Sequence, residues 1–267
     1  MQVISSKDNR IIKEAASLSE KKYRDELGLY LIEGPNIVKE AMQEGGRVRF
    51  IFTRAGAETE EIRDILTEAE AQDLAAYELT GDVFAKVTHT DNPQSVAAVF
   101  EKRQMDQTEF FIKAGSGNII VLDRLQDPGN VGTILRTAEA FGFTGIILVK
   151  GTADVFQPKI VRAAAGSLLR LPLLLVSDAE EAIALIEAHG KKIFTAAMNG
   201  RTELMNAGLS ENAAVVIGNE GNGADRVFLE KAETLSIPME GKTESLNAAI
   251  AAAAIMYESL RQRRNQK

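Results

Sequence analysis

Three stretches of this 267-residue chain carry residue types and spacings suited to chemistry. Residues 215–223 read VVIGNEGNG, a β-branched run that breaks into three glycines around one carboxylate, Glu220. Glycine after a buried strand permits a turn or a close approach to a ligand. Such a loop would let a small molecule lie against bare N–H and C=O groups. Glu220 is then either a plain turn residue, or it orients a polar substrate or receives a hydrogen bond from Arg136. The glycines at 218, 221 and 223 have the reverse of the G-x-G-x-x-G spacing, so a dinucleotide fold is a poor match.

The second stretch, DPGNVGTILRTAEAFG at 127–142, follows the apolar run IIVLD. Asp127-Pro128-Gly129 is turn chemistry, Asn130 can cap a helix, and Arg136 falls about a turn and a half into that helix. A guanidinium among core-directed neighbours wants a carboxylate or a phosphate; the plain alternative pairs it with Glu139 on the surface. The third stretch is IPMEGKTESLNAAIAAAA. Thr243, Ser245 and Asn247 offer side-chain oxygens around a helix start, suited to a carboxylate. The alanines after them make a narrow face for close helix packing, within one subunit or across a dimer.

The elements that must position these loops are legible from periodicity. From Asn118 onward short apolar runs alternate with helical segments: NIIVLDRL, a helix from near Asn130, GIILV, a helix over 157–170, LPLLLVS, a helix over 178–189, KIFTAAM, AAVVIG, a helix near 223–232, TLSIPM, and a long helix from about 245. Nearly unbroken apolar strands separated by helices predict a parallel sheet covered on both faces. Ligands in such sheets collect at the carboxyl ends of the strands, where Gly218 and Pro238 bring two of the loops. The first hundred residues read as a smaller α/β unit, with a helix over Lys7–Leu18, a strand in GLYLIEG, a helix in PNIVKEAMQEG, a strand in RVRFIFT and a helix–strand pair at 58–80. The polar stretch 104–117 is expected to be a linker between domains 1–103 and 118–267.

Composition narrows the class. With 45% apolar and 26% charged residues the chain is ordinary for a globular protein, and no apolar run approaches the roughly 20 residues of a membrane helix. Its first residues lack the apolar core of a secretory leader, which predicts a cytoplasmic protein. Zero cysteines exclude disulfides and thiolate chemistry, and two histidines, His89 and His189, stand far apart, so no metal is expected. The net charge is −7, yet residues 1–24 carry six basic against three acidic side chains and 261–267 carry four basic and none acidic. These two patches either hold phosphates locally or are ordinary solvated surface. Lys159 and Arg162, about one turn apart, raise the same pair of readings, as do Asn9 and Arg10.

The ordered set N-x-G-x-x-x-R-T-A-x-x-F-G, V-I-G-N-E-G-x-G and I-P-M-(x)₅-S-L-N resembles the three signature motifs of the SpoU-type branch of the SPOUT RNA methyltransferases. The match covers about 118–262 and departs at no motif position. NRIIKEAASL and LYLIEGPNIVKEAM are similar to that family's N-terminal substrate-binding domain. The resemblance implies a trefoil-knotted α/β domain of parallel strands plus a small ribosomal-protein-like α/β domain. It also implies S-adenosylmethionine as cofactor, a homodimer with the site at its interface, and methylation of a ribose 2′-hydroxyl in RNA. Ribosomal (23S) RNA is the expected substrate, with transfer RNA or a non-catalytic RNA-binding role as alternatives. Carried onto this sequence, Gly218, Ile237, Met239, Leu246 and Thr195 would hold the cofactor. Asn130, Glu220, Ser245 and Asn247 would form the site with Arg136, and Asn9, Arg10, Lys159 and Arg162 would contact RNA. The family's proposed base is the arginine of the first motif, here Arg136. A guanidinium, which keeps its proton at any ordinary pH, is better suited to clamping a phosphate that positions the ribose.

Overall fold

The computed structural model describes residues 1–89, 93–103 and 105–266. It divides into two units, Met1–Arg103 with Phe156–Leu169, and Gln104–Val155 with Arg170–Lys267. In chain order the first unit holds β1 (Gln2–Ile4), α1 (Arg10–Ser17), α2 (Lys21–Leu27), β2 (Leu29–Glu33), α3 (Pro35–Gln43), β3 (Val48–Arg54), α4 (Glu60–Ala71), β4 (Ala76–Leu79), α5 (Gly81–Thr88) and β5 (Val96–Glu101). The second opens with α6 (Gln107–Ala114), β6 (Ile119–Asp123), α7 (Pro128–Ala140) and β7 (Gly145–Val149). After α8 (Pro158–Ala164) and α9 (Ser167–Arg170) it continues with β8 (Leu173–Val176), α10 (Ala179–Ala188), β9 (Lys192–Ala196), β10 (Thr202–Glu203), β11 (Ala213–Gly218), α11 (Arg226–Lys231), β12 (Glu233–Ser236) and α12 (Ala248–Asn265).

The first unit is a five-stranded sheet in the order β1-β4-β3-β5-β2, parallel except where β5 runs against β2 and β3. Its core joins Leu31, Phe52, Leu79 and Val99 on one sheet face to Ile12 of α1 and Phe84 of α5. The segment 156–169 belongs to this unit: Phe156 lies 4.9 Å from the Tyr30 ring, and Arg162 pairs with Glu33 at 3.2 Å.

The second unit is a seven-stranded sheet in the order β10-β12-β9-β11-β6-β7-β8, parallel throughout. Every residue of β6 and β7 is buried, as unbroken apolar runs require when helices cover both faces. After β8 the chain crosses to the far side of β11, so the order reverses beside β6. Asp127 and Asn247 start α7 and α12 by accepting from backbone N–H groups of the first turn. These two helices pack together, and Gly132 of α7 and Ala249 and Ala252 of α12 are buried, so the alanine-rich segment packs closely within the subunit.

Three sequence readings change. The stretch 104–117 contains α6, whose Phe110 and Phe111 enter the core of the second unit; its polar residues hid an amphipathic helix. The helix expected over 157–170 breaks at Ala165 and Gly166, both at left-handed φ, +45° and +87°. The basic tail is the end of α12, where Arg261 is paired with Glu258. Arg263 turns inward to donate to the Phe141 carbonyl at the end of α7 and to Ser259 Oγ at 3.1 Å.

Candidate active site

A cleft of about 600 Å³ opens at the carboxyl ends of β9, β11 and β12. Its walls are the glycine loop from Gly218 to Ala224, the segment after β9 from Ala196 to Asn199, Ile237 and Met239 after β12, and Ser245 to Ala248 at the head of α12. The volume suits a cofactor-sized molecule, and a lining of apolar side chains with bare main chain is typical of such sites.

Hydrogen bonds wire the three motifs together. Glu220 accepts from Asn130 Nδ2 at 3.1 Å and from the backbone N–H groups of Gln126 and Asp127 at 3.2 and 3.1 Å. Asn130 Oδ1 accepts from Asn247 Nδ2 at 2.9 Å. Asn247 Oδ1 in turn accepts from Ala249 N and Ile250 N. With Glu220 accepting at one end and the α12 amides donating at the other, each amide has only one orientation that satisfies its neighbours. Burial would raise the Glu220 pKa, but Asn130 and the surrounding backbone N–H groups outweigh it and hold the carboxyl below its ordinary value. The acid of the glycine loop therefore stays ionised and fixes Asn130, which fixes Asn247.

Gly218 serves its own loop: a Cβ there would lie 2.1 Å from Ala224 N, so only glycine lets the strand end fold back under the loop. Asn219 and Gly223 close that loop through two backbone hydrogen bonds of 3.0 and 2.9 Å. Gly218, Ile237, Met239 and Leu246 all line the cleft, as do Glu220, Ser245 and Asn247.

Other expected residues fall elsewhere. Thr195 is wholly buried, its hydroxyl 3.5 Å from the Phe228 carbonyl, and its neighbour Ala196 lines the cleft in its place. Strand alternation turns every second side chain away. Arg136 is exposed on α7, does not line the cleft, and has no hydrogen bond or ion pair among the described residues. Glu139, its alternative partner, is taken by Arg170 at 2.7 Å. Asn9 is occupied as the cap of α1, accepting from Ile11 N at 2.9 Å, and Arg162 is occupied by Glu33. Arg10 and Lys159 are exposed. The segment after β9 was missed although KIFTAAMNGR held a signal, an apolar strand ending in Asn-Gly at the same sheet edge. Among the described residues no cluster of three His, Cys, Asp or Glu could hold a metal, and no helix is long and apolar enough to cross a membrane.

A parallel α/β sheet with a cofactor-sized cleft at its carboxyl edge and a wired trio of Asn130, Glu220 and Asn247 defines a class, that of α/β proteins that bind a small molecule at the strand ends. Comparison with known proteins narrows it. Residues 117–257 match the model of the SpoU rRNA Methylase family, and residues 9–98 match the MRM3-like substrate binding domain. The chain is 36% identical over 96% of its length, and 98% of the relative's, to the 23S rRNA (guanosine(2553)-2′-O)-methyltransferase RlmP of Bacillus subtilis. Among solved structures, the AdoMet-bound rRNA methyltransferase from Sinorhizobium meliloti superposes with a TM-score of 0.88 at 30% identity, covering 97% of each chain. The SpoU methyltransferase AviRb from Streptomyces viridochromogenes, in complex with AdoMet, gives 0.87 at 28% identity over 96% of this chain and all of that one. The chain belongs to the SpoU rRNA methylase family, whose members take their methyl group from S-adenosylmethionine.

Proposed function

We propose that this protein transfers a methyl group from S-adenosylmethionine to a ribose 2′-hydroxyl of 23S ribosomal RNA, in the cytoplasm and as a homodimer. The observation that carries the reading is the joining of all three motifs, Glu220 to Asn130 to Asn247, at the rim of one cofactor-sized cleft. The residues present fit the donor: apolar walls at Ile237, Met239 and Leu246 suit an adenosine, and the loop of bare main chain suits its polar edges. The donor supplies an activated methyl on a positively charged sulfur, so the protein's own tasks are in-line positioning and removal of one hydroxyl proton. Ser245 and Asn247 shape the floor beneath the ribose, and Asn130, fixed by ionised Glu220, orients the hydroxyl.

Arg136 stands about one and two-thirds turns along α7 from Asn130, outside the cleft and without a partner among the described residues. In this reading it serves the cleft of a second copy, clamping the phosphate next to the target ribose. On α12, which packs against α7, Ile250 and Tyr257 are more than half exposed, and a dimer would cover them. The trefoil knot belongs to this reading too, with α12 held beside α7 by the Asn247–Asn130 bond. Arg10 and Lys159, both exposed in the first unit, are offered to RNA phosphates.

Calorimetry with S-adenosylmethionine is expected to show binding, and ribose-methylation mapping in cells with and without the gene to show one lost site in 23S RNA. No binding of the donor would sink the reading; a lost site in transfer RNA would replace the substrate.

A further inference from the structure

Asp123 and Arg124, at the end of β6, lie outside the cleft and outside the three motifs, yet they grip both ends of the glycine loop that lines it. Asp123 is wholly buried. A buried carboxylate is costly unless it is paired and hydrogen-bonded. Here its Oδ1 accepts from Arg124 Nε at 2.8 Å, and its Oδ2 from Arg124 Nη2 at 3.2 Å and from Asp225 N at 2.6 Å. Arg124 Nη2 also lies 3.3 Å from an Asp225 carboxylate oxygen.

To fold back on its own neighbour, Arg124 takes a left-handed φ of +57°, a region that L side chains seldom occupy. That turn aims its carbonyl at the other end of the loop, where it accepts from Asn219 Nδ2 at 2.9 Å. Its N–H donates to Thr152 Oγ1 at 3.1 Å. Asn219 Oδ1 passes the constraint inward by accepting from Gly221 N and Asn222 N, both at 3.0 Å. The first and last residues of the loop, 219 and 225, are thus fastened to Arg124, the residue after β6, and to Asp123, its buried last residue.

We propose that Asp123 and Arg124 are positioning residues, a two-point clasp that sets the shape of the 219–225 loop and through it the affinity for the methyl donor. The claim rests on the function proposed above only for the identity of that donor. Left-handed backbone held by a side-chain fork, where glycine would sit without strain, marks the guanidinium as the part that matters.

The test uses the full-length protein. Arg124→Gly relieves the backbone and removes the fork; Asp123→Asn keeps an acceptor for Asp225 N and removes the charge. In cofactor-free protein, hydrogen exchange at residues 219–225 is expected to quicken at least about tenfold in both variants, with the rest of β6 and β11 unchanged. The Kd for S-adenosylmethionine should rise about tenfold, while kcat at saturating donor changes less than about threefold. Wild-type exchange at 219–225 together with wild-type Kd in Arg124→Gly would overturn the clasp. So would an equal quickening throughout the sheet, which marks a merely structural role. Failure of the wild-type protein to bind the donor would sink the functional reading instead, and the exchange data would still judge the clasp.

Discussion

Among the described residues Arg136 has no hydrogen-bond or ion-pair partner, whereas Glu220, Asn130 and Asn247 satisfy one another; these two conditions predict opposite mutant behaviour. Arg136→Ala should leave donor binding by calorimetry intact and lower single-turnover methyl transfer at least about a hundredfold, the lower end of what losing one acid–base or electrostatic group costs. Asn247 does two jobs that one substitution separates. Asn247→Asp keeps the acceptor that caps α12, and a carboxylate there suits the helix dipole, so urea unfolding should show a loss below about 0.5 kcal/mol. It removes the donor to Asn130, whose amide can flip to compensate only by setting its oxygen against Glu220. Transfer should therefore fall at least about tenfold in Asn247→Asp, and wild-type turnover would show that the bond to Asn130 is dispensable. Glu220 links the site to pH. Its folded pKa is depressed, so its contribution to stability is present above the ordinary value of 4.5 and is lost as pH falls below it toward the folded value. Glu220→Gln should flatten the acid limb of the stability curve; an unchanged limb would place that titration elsewhere.

At the scale of elements, the glycine loop and the α7–α12 pair decide where those residues stand. Gly218 is excluded from carrying a side chain by Ala224 N at 2.1 Å and Gly223 C at 2.3 Å, both backbone atoms that cannot rotate away. Gly218→Ala should cost about 1–3 kcal/mol by urea unfolding, as overpacking does, and weaken donor binding. Gly221→Ala meets nothing closer than 3.7 Å and should fall within about 0.5 kcal/mol of wild type. Equal losses in the two would mean that the loop is sensitive to any side chain rather than to this contact. The α7–α12 pair is fastened at both ends, by Asn247–Asn130 near the helix starts and by Arg263 donating to the Phe141 carbonyl near their ends. An arginine of the basic tail thus ties α12 to the end of the helix bearing Arg136.

At the scale of the whole molecule, the unpaired Arg136 and the exposed Ile250 and Tyr257 lie on the two packed helices that a second copy would cover. If Arg136 completes the partner's cleft, two impaired variants should rescue each other. Mixed Arg136→Ala and Asn247→Asp subunits would form about half heterodimers, each with one intact and one doubly damaged site, restoring about a quarter of the sites. Activity no higher than that of the separate variants would place Arg136 and Asn247 in the same subunit's site. Tyr257→Asp should shift sedimentation toward the monomer and lower transfer with it.

The sequence by itself determined the alternation of strands and helices and the three loops, because periodicity and glycine–asparagine turns are local properties of the chain; it did not show that 156–169 joins the first unit. It also determined the family, because the three motifs keep their order and spacing. It did not reveal α6, whose polar residues outweighed two buried phenylalanines, or the part played by Asp123, an ordinary acid at the end of an apolar run. Thr195 and Arg162 looked available because nothing local shows which way a strand side chain turns or which buried glutamate lies across the fold. Tertiary structure alone decided that Glu220 holds Asn130 rather than Arg136, and that Arg136 stands free: hydrogen bonds between residues 90 and 117 positions apart exist only once the sheet has brought their strands together.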